Sequence, residues 1–195
     1  MTTGAVNFKK YGIETIKDLF EFCEKIEYGW LDKNGQRHTG VNNNRDYTLQ
    51  PPEQLLNSKI GICWDQTELH REFLQQNGCH PKTFFLYYCL SDNSCPSHSI
   101  ATYQQDSKYF WFEPMFGKSS EAHGIHVYGS EMALLKDFFR TWCRISTEFG
   151  TLPKNLSTDK FSLYGYTKPA FGINDQKFFD HCRTGKRFNI SELVI

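Results

Sequence analysis

Ser97-His98-Ser99-Ile100-Ala101-Thr102-Tyr103, followed by Gln104-Gln105-Asp106-Ser107 and then Lys108-Tyr109-Phe110-Trp111-Phe112-Glu113, reads as two strands joined by a polar turn. With Tyr103 opposite Lys108 across a four-residue loop, His98 falls directly opposite Glu113 and both project from one face. Opposed residues have Cβ atoms roughly 4.5 to 5.5 Å apart, within reach of an imidazole–carboxylate hydrogen bond. A slip of one residue would send the two side chains to opposite faces. The hairpin commits this part of the chain to an antiparallel sheet.

Working outward, Thr83 to Leu90 carries apolar residues on both faces, as a central strand does, and Ser91 to Pro96 links it to the hairpin as a loop. Before it, Cys63 to Gln76 is compatible with a helix, with Asp65 and Glu68 near the positive end and Gly78 just past the finish. Its apolar residues Trp64, Leu69, Phe73 and Leu74 form a thin stripe. Pro51-Pro52-Glu53-Gln54-Leu55-Leu56 predicts a short helical turn, and Thr15 to Lys25 an amphipathic helix with Thr15 as N-cap and Asp18 three residues on. Tyr28-Gly29-Trp30-Leu31 and Arg37 to Val41 flank a tight turn at Asp32-Lys33-Asn34-Gly35, and Asn42 to Asp46 reads as loop. Downstream, Ser130 caps the most regular helix, with Leu134, Leu135, Phe138, Phe139, Trp142 and Cys143 as its buried stripe. From Gly150 to Ile195, prolines, glycines and aromatics predict an irregular wrap around the core.

These elements predict one α+β domain over residues 1–195, with a core over about 50–115 and a C-terminal helix and wrap over 130–195. A chain of 195 residues buries a sizeable core without disulfides or metal. Seventeen Phe and 10 Tyr make that interior aromatic. Twenty-two basic residues balance 22 acidic ones, so no global field attracts nucleic acid or an anionic membrane. The basic residues Arg183, Lys186 and Arg187 are few and read as solvated surface. The first ten residues lack the apolar run of a signal peptide, and no stretch approaches the roughly twenty apolar residues that span a bilayer. Seven irregularly spaced cysteines argue for free thiols, and the expectation is a cytoplasmic protein.

The residues that carry chemistry are Cys63, His98 and Glu113. A thiol attacks a carbonyl as thiolate, which unpaired N–H groups and the helix dipole stabilise at a helix N-terminus, where Cys63 stands. Gly61 lets the backbone bend there and a substrate approach the sulfur. An imidazole held by a carboxylate presents its other nitrogen to that thiol, so His98 exchanges the proton and Glu113 orients His98. The developing oxyanion needs two donors. The Cys63 N–H is the first, and the Tyr28-Gly29-Trp30 segment supplies the second, through the Trp30 indole. Trp64, Tyr109, Trp111 and Tyr28 are placed around a substrate groove, Tyr109 and Trp111 because alternation puts them on the His98 face.

At these residues the sequence resembles the transglutaminase-like superfamily of papain-type cysteine enzymes. The likeness lies in Gly61-Ile62-Cys63-Trp64-Asp65, His98-Ser99 and Phe112-Glu113-Pro114, over roughly residues 50 to 115. It implies a catalytic Cys helix packed on an antiparallel sheet that carries the other two residues. It also implies chemistry through a thioester or related acyl-enzyme: hydrolysis of a peptide or isopeptide bond, amide removal, or glutamine-to-amine crosslinking. Members usually carry Asp where Glu113 stands, and often an aromatic residue where Ser99 stands. The expected activity is amide or isopeptide hydrolysis on a peptide or protein substrate, without a cofactor. Acyl transfer to an amine and a catalytically inert interaction module are the rivals, and the oligomeric state is left open.

Other residues invite plainer readings. Cys23, Cys143 and Cys182 lie in or near apolar stripes and read as packing groups. Cys79, His80, Cys89, Cys95 and His98 include zinc-type donors but no close Cys-x-x-Cys pair, so no metal site is expected. His123 and His126 read as solvent-facing polarity in a Gly-containing loop.

Overall fold

The computed structural model describes residues 5–40 and 46–194, so most of the loop expected at Asn42 to Asp46 lies outside the described residues. The fold is α+β, with a six-stranded antiparallel sheet ordered β6-β5-β4-β3-β7-β8 and a separate hairpin, β1-β2. The strands are β1 (Gly29–Leu31), β2 (Arg37–Thr39), β3 (Lys82–Tyr88), β4 (Ser97–Gln105), β5 (Lys108–Glu113), β6 (Gly124–Tyr128), β7 (Phe161–Tyr166) and β8 (Lys186–Phe188). The helices are α1 (Ile16–Cys23), α2 (Pro52–Ser58), α3 (Cys63–Gln76), α4 (Glu131–Glu148) and α5 (Asp175–Arg183).

Sequence patterning explains the placement of most of these elements. β3 is buried from Thr83 to Tyr88 because β4 and β7 flank it and helices cover both faces. One face packs on α4, where Phe84, Leu86, Ile100 and Trp111 meet Leu134, Leu135 and Phe138. The other receives α3, which lies along β4: Thr67 Oγ1 is 2.9 Å from Ser99 Oγ, and Leu74 packs with Ala101 and Tyr103. α3 is more than a thin stripe, since every residue from Cys63 to Arg71 is buried. Its charged groups survive burial by pairing. Arg71 donates to both Glu68 oxygens at 2.9 and 3.2 Å, and also contacts the Thr83 hydroxyl of β3.

Two expectations are corrected. The stretch after Gly150 is not an irregular wrap, because β7 and β8 complete the sheet and α5 packs Phe178 on Trp64. The region of His123 and His126 contributes an edge strand: in β6, His126 stacks on Trp111 at 4.7 Å and its Nε2–H donates to the Ala122 carbonyl at 2.8 Å. His123 is half-buried and sits 3.0 Å from the Glu24 carboxylate.

The β4–β5 turn is also tighter than expected. Gln105 faces Lys108, leaving Asp106 and Ser107 as a two-residue loop with φ of 48° and 60°. The ladder through Ala101 and Phe112 puts Glu113 beyond it opposite Ile100, so His98 and Glu113 are diagonal rather than direct neighbours. A displacement of two positions preserves the face, so the two side chains still meet.

Because two L-residues hold left-handed backbone here, Asp106→Asn with Ser107→Gly relieves strain at the loop. The expected gain is about 1 kcal/mol, or roughly 2–4 °C in thermal midpoint, by calorimetry. An unchanged or lowered midpoint would contradict this turn geometry.

Candidate active site

α3 begins where the strand pair β3–β4 ends, and that junction assembles the site. Ile62 has no side-chain oxygen to cap the helix, so Asp65 reaches back instead and accepts the Ile62 N–H at 3.0 Å. The same carboxylate accepts the Tyr47 hydroxyl at 2.9 Å and the Gln50 N–H at 2.8 Å. Burial raises the Asp65 pKa to about 7, against these three donors, which favour its charged form. Gly61 serves packing more than substrate approach: a Cβ there would lie 2.6 Å from Leu55 Cδ1 and 3.1 Å from Asp65 Cβ.

The β1 segment is stitched beside this helix start. Glu27 N–H donates to Lys59 O at 3.0 Å, and Gly61 N–H donates to Glu27 O at 3.1 Å. Gly29 permits the close approach, since a Cβ there would fall 2.2 Å from the His38 carbonyl. The arrangement delivers the Tyr28 hydroxyl to 3.9 Å from Cys63 Sγ. Charge on Cys63, then burial and the hydrogen bond to Cys63, hold Tyr28 well above its ordinary pKa, so it remains a donor.

His98 and Glu113 arrive from the sheet. Their face is the one covered by α4, and the His98 ring lies 6.1 Å from Phe138 and 5.1 Å from Phe116. His98 Nε2–H donates to Glu113 Oε2 at 2.8 Å, while the Met115 N–H donates to Glu113 Oε1 at 3.1 Å. The glutamate's additional methylene spans the diagonal, which is longer than a direct cross-strand pair. With Nε2 engaged by Glu113, interaction with Cys63 raises the His98 pKa further. Burial opposes charging of His98, but the Glu113 charge and the bonds to Cys63 and Glu113 outweigh it and lift the pKa to about 10. Cys63 is 2% exposed, His98 5% and Glu113 0%.

The aromatic residues expected around a groove divide differently. Tyr28, 44% exposed, covers the sulfur from outside. Trp30 packs at the edge of the Cys63 cluster but stacks on His38 at 4.2 Å, and Tyr28 is the residue whose polar atom reaches Cys63. Trp64 is core, stacked on Phe178 at 4.4 Å. Trp111 shares the His98 face as expected, yet it is buried beneath Phe138, and half-buried Tyr109 packs with the same cluster, so neither lines a groove. The 590 Å³ cavity lies elsewhere, between Pro52, Asn57, Lys168 and Phe171. His70 carried no sequence signal. It is fully buried on α3, 4.6 Å from Phe112, and burial and the His98 charge lower its pKa to about 3, which keeps it neutral. Among the described residues, no group of three or more His, Cys, Asp or Glu side chains is arranged to hold a metal ion. No helix among them is long and apolar enough to cross a membrane.

No family model and no curated protein matches this chain.

The raised His98 pKa gives a signed pH dependence. Its contribution to stability is full below the ordinary pKa near 6.5 and is lost as pH rises through about 10. Glu113→Gln removes the charge holding His98 protonated, so at pH 6 it destabilises the protein by roughly 3 kcal/mol, with the gap to wild type narrowing toward pH 10. Urea unfolding across that range checks this, and a gap independent of pH would contradict it.

Proposed function

We propose that this chain is a cysteine-dependent hydrolase of amide or isopeptide bonds, built on a papain-like, transglutaminase-type core. The observation that carries the reading is the buried His98–Glu113 pair at 2.8 Å, with Cys63 buried and close enough to act on the His98 ring. In this mechanism Cys63 Sγ attacks the carbonyl carbon as a thiolate, beside a His98 ring that already carries the proton. Glu113 fixes the ring and balances the imidazolium. The tetrahedral oxyanion takes hydrogen bonds from the Cys63 N–H, at the positive end of α3, and from the Tyr28 hydroxyl. His98 then protonates the leaving amine, and water deprotonated by the same nitrogen cleaves the thioester.

One observation favours the related reading of acyl transfer to an amine. Cys63 and His98 are nearly closed to solvent, and a water-poor acyl-enzyme lets an amine compete. Adding a primary amine and comparing conjugate with free acid separates the two outcomes.

The reading is tested by alkylation of Cys63 with iodoacetamide, followed by peptide mapping. Wild-type Cys63 should react faster than glutathione at pH 6–7. His98→Ala should slow it by about 10²-fold, the scale of a lost proton-transfer partner. Glu113→Asp should slow it by roughly tenfold, since the shorter acid falls short of the diagonal. A Cys63 no more reactive than glutathione at any pH, and indifferent to His98, would refute the proposal.

A further inference from the structure

Cys89 and Cys95 lie in the hairpin that joins β3 to β4, just beyond the ladder pair Tyr87 and Ser97. The pairing continues past the ladder. Tyr88 N–H donates to Pro96 O at 3.0 Å and Leu90 N–H to Ser94 O at 2.8 Å, while the Cys89 N–H turns the other way, to Lys160 O at 3.1 Å. Cys89 and Cys95 are thus directly opposed at a non-hydrogen-bonded site, where Cα atoms approach to about 4.5 Å. That spacing falls inside the window a disulfide requires, and both side chains leave the strands on the same face. The loop beyond them, Ser91-Asp92-Asn93, is closed by Asn93 in a left-handed conformation (φ 66°) and by Ser94 N–H donating to Asp92 Oδ1 at 2.9 Å, which fixes the register.

We propose that Cys89 and Cys95 form a reversible cross-strand disulfide, and that this hairpin is a thiol-oxidation site distinct from Cys63. Both are free thiols and only partly buried, unlike Cys23, Cys63, Cys143 and Cys182. Burial first, and then a side-chain hydrogen bond to Cys89, raise the Cys95 pKa to about 12, so in the proposed exchange Cys95 is the second thiol to react. The Arg183 guanidinium is near enough to act electrostatically on Cys95, against the effect of burial. With oxidised glutathione, the Cys89 thiolate attacks one sulfur and expels one glutathione thiolate. Cys95 then attacks the mixed disulfide at Cys89 and expels the second. Two electrons pass from the protein to glutathione, and the two cysteine protons end on the two glutathione thiols. The link would clamp the base of the loop three residues before His98.

The test uses the intact protein and does not depend on any catalytic reading. Residues 83–108 form one tryptic peptide that holds Cys89 and Cys95 and no other cysteine. After treatment with oxidised glutathione and alkylation of remaining thiols, that peptide should lose both alkyl labels and be two hydrogens lighter than its unlabelled reduced form. Cleavage before Asp92 should leave its halves joined, and reduced glutathione should restore both labels. Cys89→Ser should leave Cys95 as a glutathione adduct or a free thiol. Two glutathione adducts on the wild-type peptide, two retained labels, or a link from either residue to Cys63 would each overturn the proposal.

Discussion

Glu113 is a carboxylate with no exposure to water, set in a β-sheet between aromatic layers. Leaving such a charge unpaired costs several kcal/mol, so its partners decide whether this part of the fold holds together. The His98 ring satisfies one oxygen and the Met115 N–H the other. The pairing holds the His98 ring, on which Cys63 of α3 also acts. A single buried interaction thereby ties β4, β5 and the start of α3 to one geometry.

The surrounding scaffold is arranged to make that geometry rigid. α3 is held along β4 by Thr67 and Ser99, and its buried Arg71–Glu68 pair reaches across to Thr83 of β3. Asp65 caps the helix start and draws in Tyr47 and Gln50, while the Glu27–Ile60 bridge brings Tyr28 over the sulfur. Aromatic packing from α4, through Phe138, closes the far side of His98. Each of these contacts positions a group that touches the site without taking part in the proposed proton transfer.

Much of this was legible in the sequence because local signals agreed with the global arrangement. Cys63 to Gln76 forms a helix over those residues, Thr15 and Asp18 make the expected capping box, and the two-faced apolar run of β3 lies at the centre of the sheet. The β4–β5 register was misjudged because Asp106-Ser107 lacks the glycine or asparagine that usually announces a two-residue loop. His98 and Glu113 still met, since the error was an even number of positions and a glutamate is long enough to bridge the diagonal. β6 was hidden by exposed Ile125 and Val127, whose alternation runs against the usual apolar-inside pattern at a sheet edge. β7 was hidden by the prolines and glycines around it, although its residues add a buried strand to β3. Tertiary contacts alone turn Trp64 and Trp111 into core, where adjacency of Trp64 to Cys63 and strand alternation at Trp111 suggest a groove.

The central claim is that His98 carries a proton at neutral pH because the buried Glu113 carboxylate and the Cys63 sulfur act on its ring. Nitrogen NMR of the His98 ring measures this directly. At pH 8 the account predicts both ring nitrogens protonated, with the titration displaced upward toward pH 10. A neutral His98 ring at pH 8, titrating near the ordinary histidine value, would contradict it.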